Sequence, residues 1–139
     1  MRFSKTLIFI LFLTLCHASY GNSDGITDQT MRDYYAAWAV GDVDRIMSYF
    51  TADIVYSDKA TGAHNEGADE VRAFVKKFFD DYAGVSIATA SITVSPNNAA
   101  VEWVMSGGEG DDAWSIPGVC IFDIKDGKLS RATDYWNKE

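Results

Sequence analysis

The chain has 139 residues, of which 47% are hydrophobic and 23% are charged, and its formal net charge is −8. This length suits one domain, and the hydrophobic share is sufficient to build its core. The negative charge disfavours partners rich in phosphate, since like charges repel, so we expect no binding to nucleic acid or to anionic lipid.

The first residues predict a removable export signal. Arg2 and Lys5 give a basic start, and residues 6–16 form an almost unbroken apolar run. We expect a signal peptide over residues 1–18, with a cut after Gly21 as the alternative, and therefore an exported protein, periplasmic or secreted. The apolar run is shorter than the ~20 residues that a transmembrane helix needs, so no stable membrane anchor is expected.

Removal of the signal leaves Cys120 as the single cysteine and His64 as the single histidine. No disulfide can then form within the chain. One cysteine and one histidine do not make an ordinary zinc site, and no EF-hand spacing is present. We therefore expect neither a metal nor another cofactor.

Helical periodicity dominates the first half of the remaining chain. Apolar side chains recur at i, i+3, i+4 and i+7 over residues 31–38, and the same spacing predicts helices over residues 43–50 and 71–82. Gly41 is suited to end the first helix, and Asp42 to cap the second.

The strands are predicted mostly in the second half of the chain. Alternation of apolar and polar residues, interrupted by turn residues, indicates them, and a loop with Gly62 and Gly67 precedes the third helix. Strands joined by short turns are antiparallel. The sequence therefore predicts a single α+β domain over residues 27–137, in which one face of a curved, mainly antiparallel sheet packs on three helices. The strands are predicted over residues 53–58, 87–95, 99–106, 115–124 and 128–136.

The last hairpin determines which side chains face the helices. A three-residue loop, Lys125-Asp126-Gly127, would pair Cys120 with Ala132. One face would then carry Cys120, Phe122, Asp134 and Trp136. A two-residue loop would reverse one strand relative to the other.

Several stretches together carry a family resemblance. They read YYAAWAVGDVDRIMSYF from Tyr34, then TADIVYSD, GADEVRAFVKKFF and finally IPGVCIFDIKDGKLSRATDYW. This combination resembles the SnoaL-like polyketide cyclases of the NTF2-like superfamily, relatives of ketosteroid isomerase and limonene epoxide hydrolase, over about residues 28–137. The resemblance implies a cone-shaped fold whose open mouth holds a hydrophobic small molecule, often in a homodimer.

The same resemblance suggests catalytic residues. Asp134 matches the last-strand acid of the cyclases, and Tyr34 and Asp58 have a spacing similar to the oxyanion donor and proton carrier of the isomerase. The position of the isomerase's second acid falls near Val119 or Cys120, neither of which is an acid of that kind. Trp103 and Met105 stand where the epoxide hydrolases have Arg and Asp. The side chains expected to line a ligand pocket are Trp38, Tyr56, Trp103, Met105, Cys120, Phe122 and Trp136.

Three functions remain open at this point. The first is a cofactor-independent enzyme that moves protons on a hydrophobic carbonyl compound, as an isomerase, cyclase or lyase would, with Asp134 or Asp58 as acid and base and Tyr34 as donor to an oxyanion. The second is a module that binds a hydrophobic ligand without changing it. The third is a structural dimerisation domain, since Ile121 and Tyr135 give the outer sheet face an apolar character.

Overall fold

The computed structural model of the protein describes residues 25–137, so the predicted signal segment lies outside the described residues. This part of the chain contains three α-helices and a short 3₁₀ turn at Gly110–Asp112. The helices are α1 (Asp28–Ala39), α2 (Val43–Ser48) and α3 (Ala68–Asp81).

Six strands form one sheet in the order β2-β1-β6-β5-β4-β3. The pair β1 and β6 is parallel, and the other pairs are antiparallel. The α+β prediction is therefore confirmed. The strands are β1 (Phe50–Asp58), β2 (Ala63–Glu66), β3 (Ser86–Val94), β4 (Asn98–Gly107), β5 (Trp114–Lys125) and β6 (Lys128–Trp136).

Local capping defines the ends of the first two helices. At the start of α1, the side chains of Thr27 and Thr30 each accept a hydrogen bond from the other's backbone N–H. Gly41 follows α1 with a φ of 69°, which favours glycine, and the side chain of Asp42 accepts from the N–H of Arg45 at 3.0 Å. The predicted helix end and cap are confirmed.

The loop predicted around Gly62 and Gly67 contains a strand that the sequence analysis missed. Residues Ala63–Glu66 form β2, which pairs with the end of β1 from Asp58↔Ala63 to Val55↔Glu66. β2 is a short edge strand with few apolar side chains, so it gives no alternating pattern. Its pairing places β2 at the edge of the sheet, beside β1.

The last hairpin differs from the prediction in its loop and in its register, because Ala132 is opposite Phe122 rather than Cys120, but the predicted faces are correct. Lys125 pairs with Lys128, so the loop has two residues, Asp126 and Gly127, both with positive φ. A bulge at Ser130 then adds one residue to β6. This bulge compensates for the shorter loop and brings Cys120 opposite Asp134, on the predicted inner face.

The inner face of the sheet and the apolar stripes of the helices form one core. α1 contacts β3, whereas α3 contacts β1 and β2. The largest side chains that are fully buried include Tyr34, Phe122, Met31, Ile46 and Ile54. Within residues 25–137, no helix is long and apolar enough to cross a membrane.

Candidate functional site

A cavity of about 450 Å³ opens between the helices and the inner face of the sheet. This volume is typical of a small-molecule site. The walls are mainly aromatic and aliphatic side chains of α1, α3, β4 and β5, and Asp58 and Asp134 are the carboxylates of the sheet that reach it. At the rim Lys77 forms an ion pair with Asp81, with an Nζ–Oδ2 distance of 2.7 Å.

Asp134 is held by two aromatic donors. The hydroxyl of Tyr56 donates to Oδ2, and Nε1 of Trp103 donates to Oδ1 at 3.2 Å. Tyr56 comes from β1 and Trp103 from β4, so the donors approach from both sides of β6. These two hydrogen bonds fix the carboxyl group at the cavity wall, and the residue as a whole is half-buried.

Burial raises the pKa of Asp134 to about 6, well above the usual value of an aspartate. The loss of hydration is the largest cause, and hydrogen bonds from Tyr56, Cys120 and Trp103 oppose it, while the nearby charge of Asp58 adds to it. A carboxyl group with this pKa can both accept and return a proton near neutral pH.

Asp58 ends β1 and also forms the turn that follows. Its Oδ1 accepts from the backbone N–H groups of Ala60 and Thr61 at 2.9 and 3.1 Å, and from Nε1 of Trp136 at 3.1 Å. The turn-forming role explains why an aspartate suits this strand end. The side chain is nevertheless part of the cavity wall.

The position of Trp103 depends on a glycine in the neighbouring strand. Gly118 is paired with Trp103, and the indole lies close against its backbone. A Cβ on Gly118 would come within 2.8 Å of Cε2 of the indole and closer still to the ring's outer edge. Glycine at this position therefore allows Trp103 to reach Asp134.

Tyr34 lies at the base of the cavity with 1% of its surface exposed. Its ring packs edge to face against Tyr35, Tyr49 and Phe122, with centroid distances of 5.1, 5.6 and 5.7 Å. Burial raises the pKa of the hydroxyl well above its usual value, and Cys120 and Asp134 raise it further. Tyr34 therefore stays protonated and can act only as a neutral donor or acceptor.

The structure brings the three predicted catalytic residues, Tyr34, Asp58 and Asp134, to one cavity. It also places most of the predicted lining residues there. Those that line the cavity are Trp38, Tyr56, Trp103, Met105 and Trp136.

The structure corrects the placement of Cys120 and Phe122. Both face inward as predicted, but they lie beneath the cavity wall rather than in it, with 1% and 0% of their surfaces exposed. Burial raises the pKa of the Cys120 thiol well above its usual value, so the reactive thiolate form is disfavoured. The alternation of a strand predicts the face of a side chain but not its depth.

Sequence reasoning missed a second group of lining residues. Phe74 and Phe78 are on the predicted apolar stripe of α3, which was the available signal for them. Tyr35 and Tyr82 also belong to the apolar patterns over residues 31–38 and 71–82, so a signal for them was present as well. No periodicity identifies turn residues such as Thr61. The additional lining residues are Tyr35, Thr61, Ala63, Lys77, Asp81, Tyr82, Ile87, Trp114 and Ile116.

The side chains of residues 25–137 form no arrangement that is suited to bind a metal ion. No three His, Cys, Asp or Glu residues of this region are grouped so that they could hold a metal ion.

Similarity to solved structures agrees with this architecture. A protein of ketosteroid isomerase-like fold from Catenulispora acidiphila, solved in complex with trimethylamine, has a TM-score of 0.72 at 18% identity, covering 81% of this chain and 88% of the other. An NTF2-like protein of unknown function from Burkholderia xenovorans has a TM-score of 0.65 at 19% identity, covering 80% and 82%. At these identities the similarity shows a common NTF2-like fold.

Sequence similarity gives a more specific relationship. Cyclase aurE of Calcarisporium arbuscula is 34% identical over 65 residues, which are 47% of this chain and 48% of the cyclase, so the match spans about half of each protein. The SnoaL-like domain matches residues 31–132, from α1 to β6. Because this match extends over well more than half of the sequence, the chain belongs to the SnoaL-like domain family.

Proposed function

We propose that the protein is a cofactor-independent enzyme that moves a proton on a small hydrophobic carbonyl compound, with Asp134 as the acid and base. The observation that carries this proposal is the placement of Asp134, whose pKa is about 6, at the wall of an apolar cavity of about 450 Å³. A base with a pKa near the working pH is suited to repeated proton transfer. The similarity to a protein named a cyclase supports the same class of chemistry.

In the proposed reaction, the carboxylate of Asp134 takes a proton from the carbon beside the carbonyl group. The electron pair of that C–H bond moves toward the carbonyl oxygen, which becomes an enolate. The neutral hydroxyl of Tyr34 would donate to this oxygen, because burial keeps Tyr34 protonated. Asp134 then returns the proton to another carbon, or to the same one, and the product leaves.

Asp134 is better placed than Asp58 to exchange protons. Asp134 accepts from the hydroxyl of Tyr56 at Oδ2 and from Nε1 of Trp103 at Oδ1, and the thiol of Cys120 is a third donor to this carboxylate. The two oxygens of a carboxylate together have about four lone-pair sites, so one remains for a substrate proton. The three N–H donors to Asp58 all converge on its Oδ1, in a turn that depends on them.

A surrogate substrate tests the base without knowledge of the natural one. 5-Nitrobenzisoxazole loses one C–H proton to any suitable base, its N–O bond breaks, and the released phenolate absorbs visible light. We expect turnover by the protein to rise with pH through a midpoint near 6, and Asp134→Asn to reduce kcat/KM by about 100-fold or more. Asp123→Asn, which removes a charge from the same hairpin beside Arg131 on the outer face, should retain the activity.

Equal activity in Asp134→Asn and in the unchanged protein would show that Asp134 is not the base. If the same concentration of acetate converts 5-nitrobenzisoxazole as fast as the protein does, Asp134 is likewise not acting as an enzymatic base. Binding of 5-nitrobenzisoxazole without turnover would favour the second candidate, a ligand-binding module. One observation favours that candidate, namely that Asp134 already accepts a hydrogen bond at each oxygen.

We further propose that the protein acts outside the cytoplasm. The basic start and the apolar run of residues 6–16 support this location. Mass spectrometry of the protein from its native host should give an N-terminus directly after Ala18 or Gly21. A chain that retains Met1 in the cytosolic fraction would contradict it.

A further inference from the structure

The two carboxylates of the cavity differ in which oxygen is free. At Asp58, all three N–H donors reach Oδ1, and no donor within residues 25–137 reaches Oδ2. Only 9% of this residue's surface is exposed. In the described region, the fully buried side-chain N and O atoms that lack a hydrogen-bond partner are Oγ1 of Thr51 and Nδ2 of Asn65. Oδ2 of Asp58 also lacks a partner there, so it is not fully buried and retains a small accessible surface. Because Asp58 is part of the cavity wall, this surface lies at the cavity.

The walls near Asp58 are aromatic. Trp136 contacts it directly through its indole N–H, and Tyr56 precedes it by two residues on the same strand face. Phe74 stacks at a tilt on Tyr56, with 5.1 Å between the ring centroids. The faces of aromatic rings carry negative potential, so they attract cations in the same way as the carboxylate does.

No positive side chain of residues 25–137 forms an ion pair with Asp58 or Asp134. Among the charged residues that line it, the only cationic one in the described region is Lys77, and its Nζ lies 2.7 Å from Asp81 at the rim. An aromatic cavity that contains largely buried carboxylates favours a cationic ligand, because electrostatic attraction is strong where solvent screening is weak.

We infer that the cavity takes a hydrophobic molecule that carries a protonated or quaternary nitrogen, with the nitrogen seated between Oδ2 of Asp58 and the rings of Tyr56, Phe74 and Trp136. This inference rests on the proposed function for the location of the ligand, and it adds the class of substrate. It also assigns different tasks to the two carboxylates. Asp58 anchors the cation, and Asp134 exchanges the proton.

The assigned tasks support each other chemically. A positive nitrogen near a carbonyl group makes the adjacent C–H more acidic, because it stabilises the enolate that proton loss creates. A substrate anchored at Asp58 lies beside Asp134, since the two residues are partners on adjacent parallel strands. The anchor would therefore position the substrate and lower the barrier to proton removal.

Two probes of the same shape test the inference on the protein as it exists. Phenyltrimethylammonium and tert-butylbenzene differ only in the central atom, which is a positive nitrogen in the first and a neutral carbon in the second. Titrations followed by tryptophan fluorescence at pH 7.5 should show about tenfold tighter binding of the cation, which corresponds to about 1.4 kcal/mol.

Asp58→Asn should abolish the preference for the cation and leave binding of tert-butylbenzene within about twofold. Asparagine keeps an oxygen that can accept the three N–H bonds, so the turn is preserved. Asp53→Asn is the matched control, since Asp53 is an exposed carboxylate of the same strand, and it should leave both affinities unchanged. Phe74→Leu tests the rings separately and should weaken binding of the cation only.

Equal binding of the two probes by the unchanged protein would overturn the inference, and so would binding of neither. A cation preference that persists in both Asp58→Asn and Phe74→Leu would also overturn it. The proposed function can fail separately. If the unchanged protein shows no cation preference but Asp134 catalyses proton transfer, only the proposed substrate class is wrong. If it prefers the cation but shows no base catalysis, only the proton-transfer proposal is wrong.

Discussion

Asp58 and Asp134 are partners in the register of the parallel strands β1 and β6, and each accepts a hydrogen bond from an aromatic side chain of the other's strand. Tyr56 of β1 donates to Asp134, and Trp136 of β6 donates to Asp58. This reciprocal arrangement holds two carboxylates side by side at the cavity. It also explains why the charge of Asp58 contributes to the raised pKa of Asp134.

The first prediction concerns the stability of Asp134→Asn. The pKa of Asp134 is about 6 in the folded chain and near ~3.9 in an unfolded one, so the unfolded chain releases this proton more readily. The ionised group therefore costs stability as pH rises from about 4 to about 6, and the full cost remains above that range. Asp134→Asn removes this cost, and we expect its stability relative to the unchanged protein to improve by about 1–3 kcal/mol between pH 4 and pH 7.5.

Urea unfolding at both pH values measures this difference. Asp123→Asn, with the same change of charge outside the cavity, should show no such improvement. If Asp134→Asn instead loses stability relative to the unchanged protein as the pH rises from 4 to 7.5, the hydrogen bonds to Asp134 outweigh its burial, and the residue is structural.

The second prediction concerns the hydroxyl of Tyr56. Its hydrogen bond favours the ionised form of Asp134 and so lowers the pKa of that group. In Tyr56→Phe we expect the pKa of Asp134 to rise further, which moves the pH midpoint of 5-nitrobenzisoxazole turnover to a higher pH. Tyr135→Phe removes a hydroxyl from an exposed position on the outer face and should not move the midpoint. A midpoint that falls or stays constant in Tyr56→Phe would contradict the assignment of Asp134 as the titrating base.

The third prediction concerns the contact between Gly118 and Trp103. Gly118→Ala should force the indole away from β5 and destabilise the fold by about 1–3 kcal/mol. It should also weaken the hydrogen bond from Trp103 to Asp134, which near-UV circular dichroism can detect through the altered environment of the indole. Gly25→Ala, where an added Cβ meets no atom within 4 Å, is the control.

A double-mutant cycle separates this contact from other effects of the substitution. In a Trp103→Ala background, Gly118→Ala should cost much less stability, because the ring that it displaces is gone. An equal cost in both backgrounds would locate the strain elsewhere in β5.

The fourth prediction is that the outer sheet face forms a homodimer. Ile121 and Tyr135 are 46% and 45% exposed there, which is unusual for large hydrophobic side chains. Light scattering at micromolar concentration should give the mass of a dimer, and Ile121→Asp should give that of a monomer. Val40→Asp, at an exposed hydrophobic position after α1, should remain dimeric. A monomer mass for the unchanged protein would refute the prediction.

Most of the fold could be predicted because its signals are local. Helical spacing located α1, α2 and α3, and turn residues separated β3 to β6. The pairing of β1 with β6 could not be derived in this way, since it joins distant parts of the chain and leaves no periodic trace. β2 was missed because an edge strand with polar residues depends on its neighbour for stability.

The candidate site was predictable to the extent that it follows strand alternation. Inward-facing Asp134 and Trp136 were identified by their parity on β6, and the structure places both at the cavity. The alternation of β5 predicts the same inner face for Cys120 and Phe122, but these two side chains are almost completely buried. The open oxygen of Asp58 depends on a turn and on a distant indole, so a sequence pattern alone does not reveal it.

The bulge at Ser130 has a consequence for how the length of β6 can change. Ser130 lies between the pairs Ile124↔Leu129 and Asp123↔Arg131, so its deletion would replace the bulge with regular pairing and would keep both pairs. Asp134 would then still face the cavity. Deletion of Ala132, in the regularly paired part of the strand, would instead move Asp134 and every later side chain of β6 to the opposite face. The bulge is therefore the position at which this strand can lose a residue and keep its site.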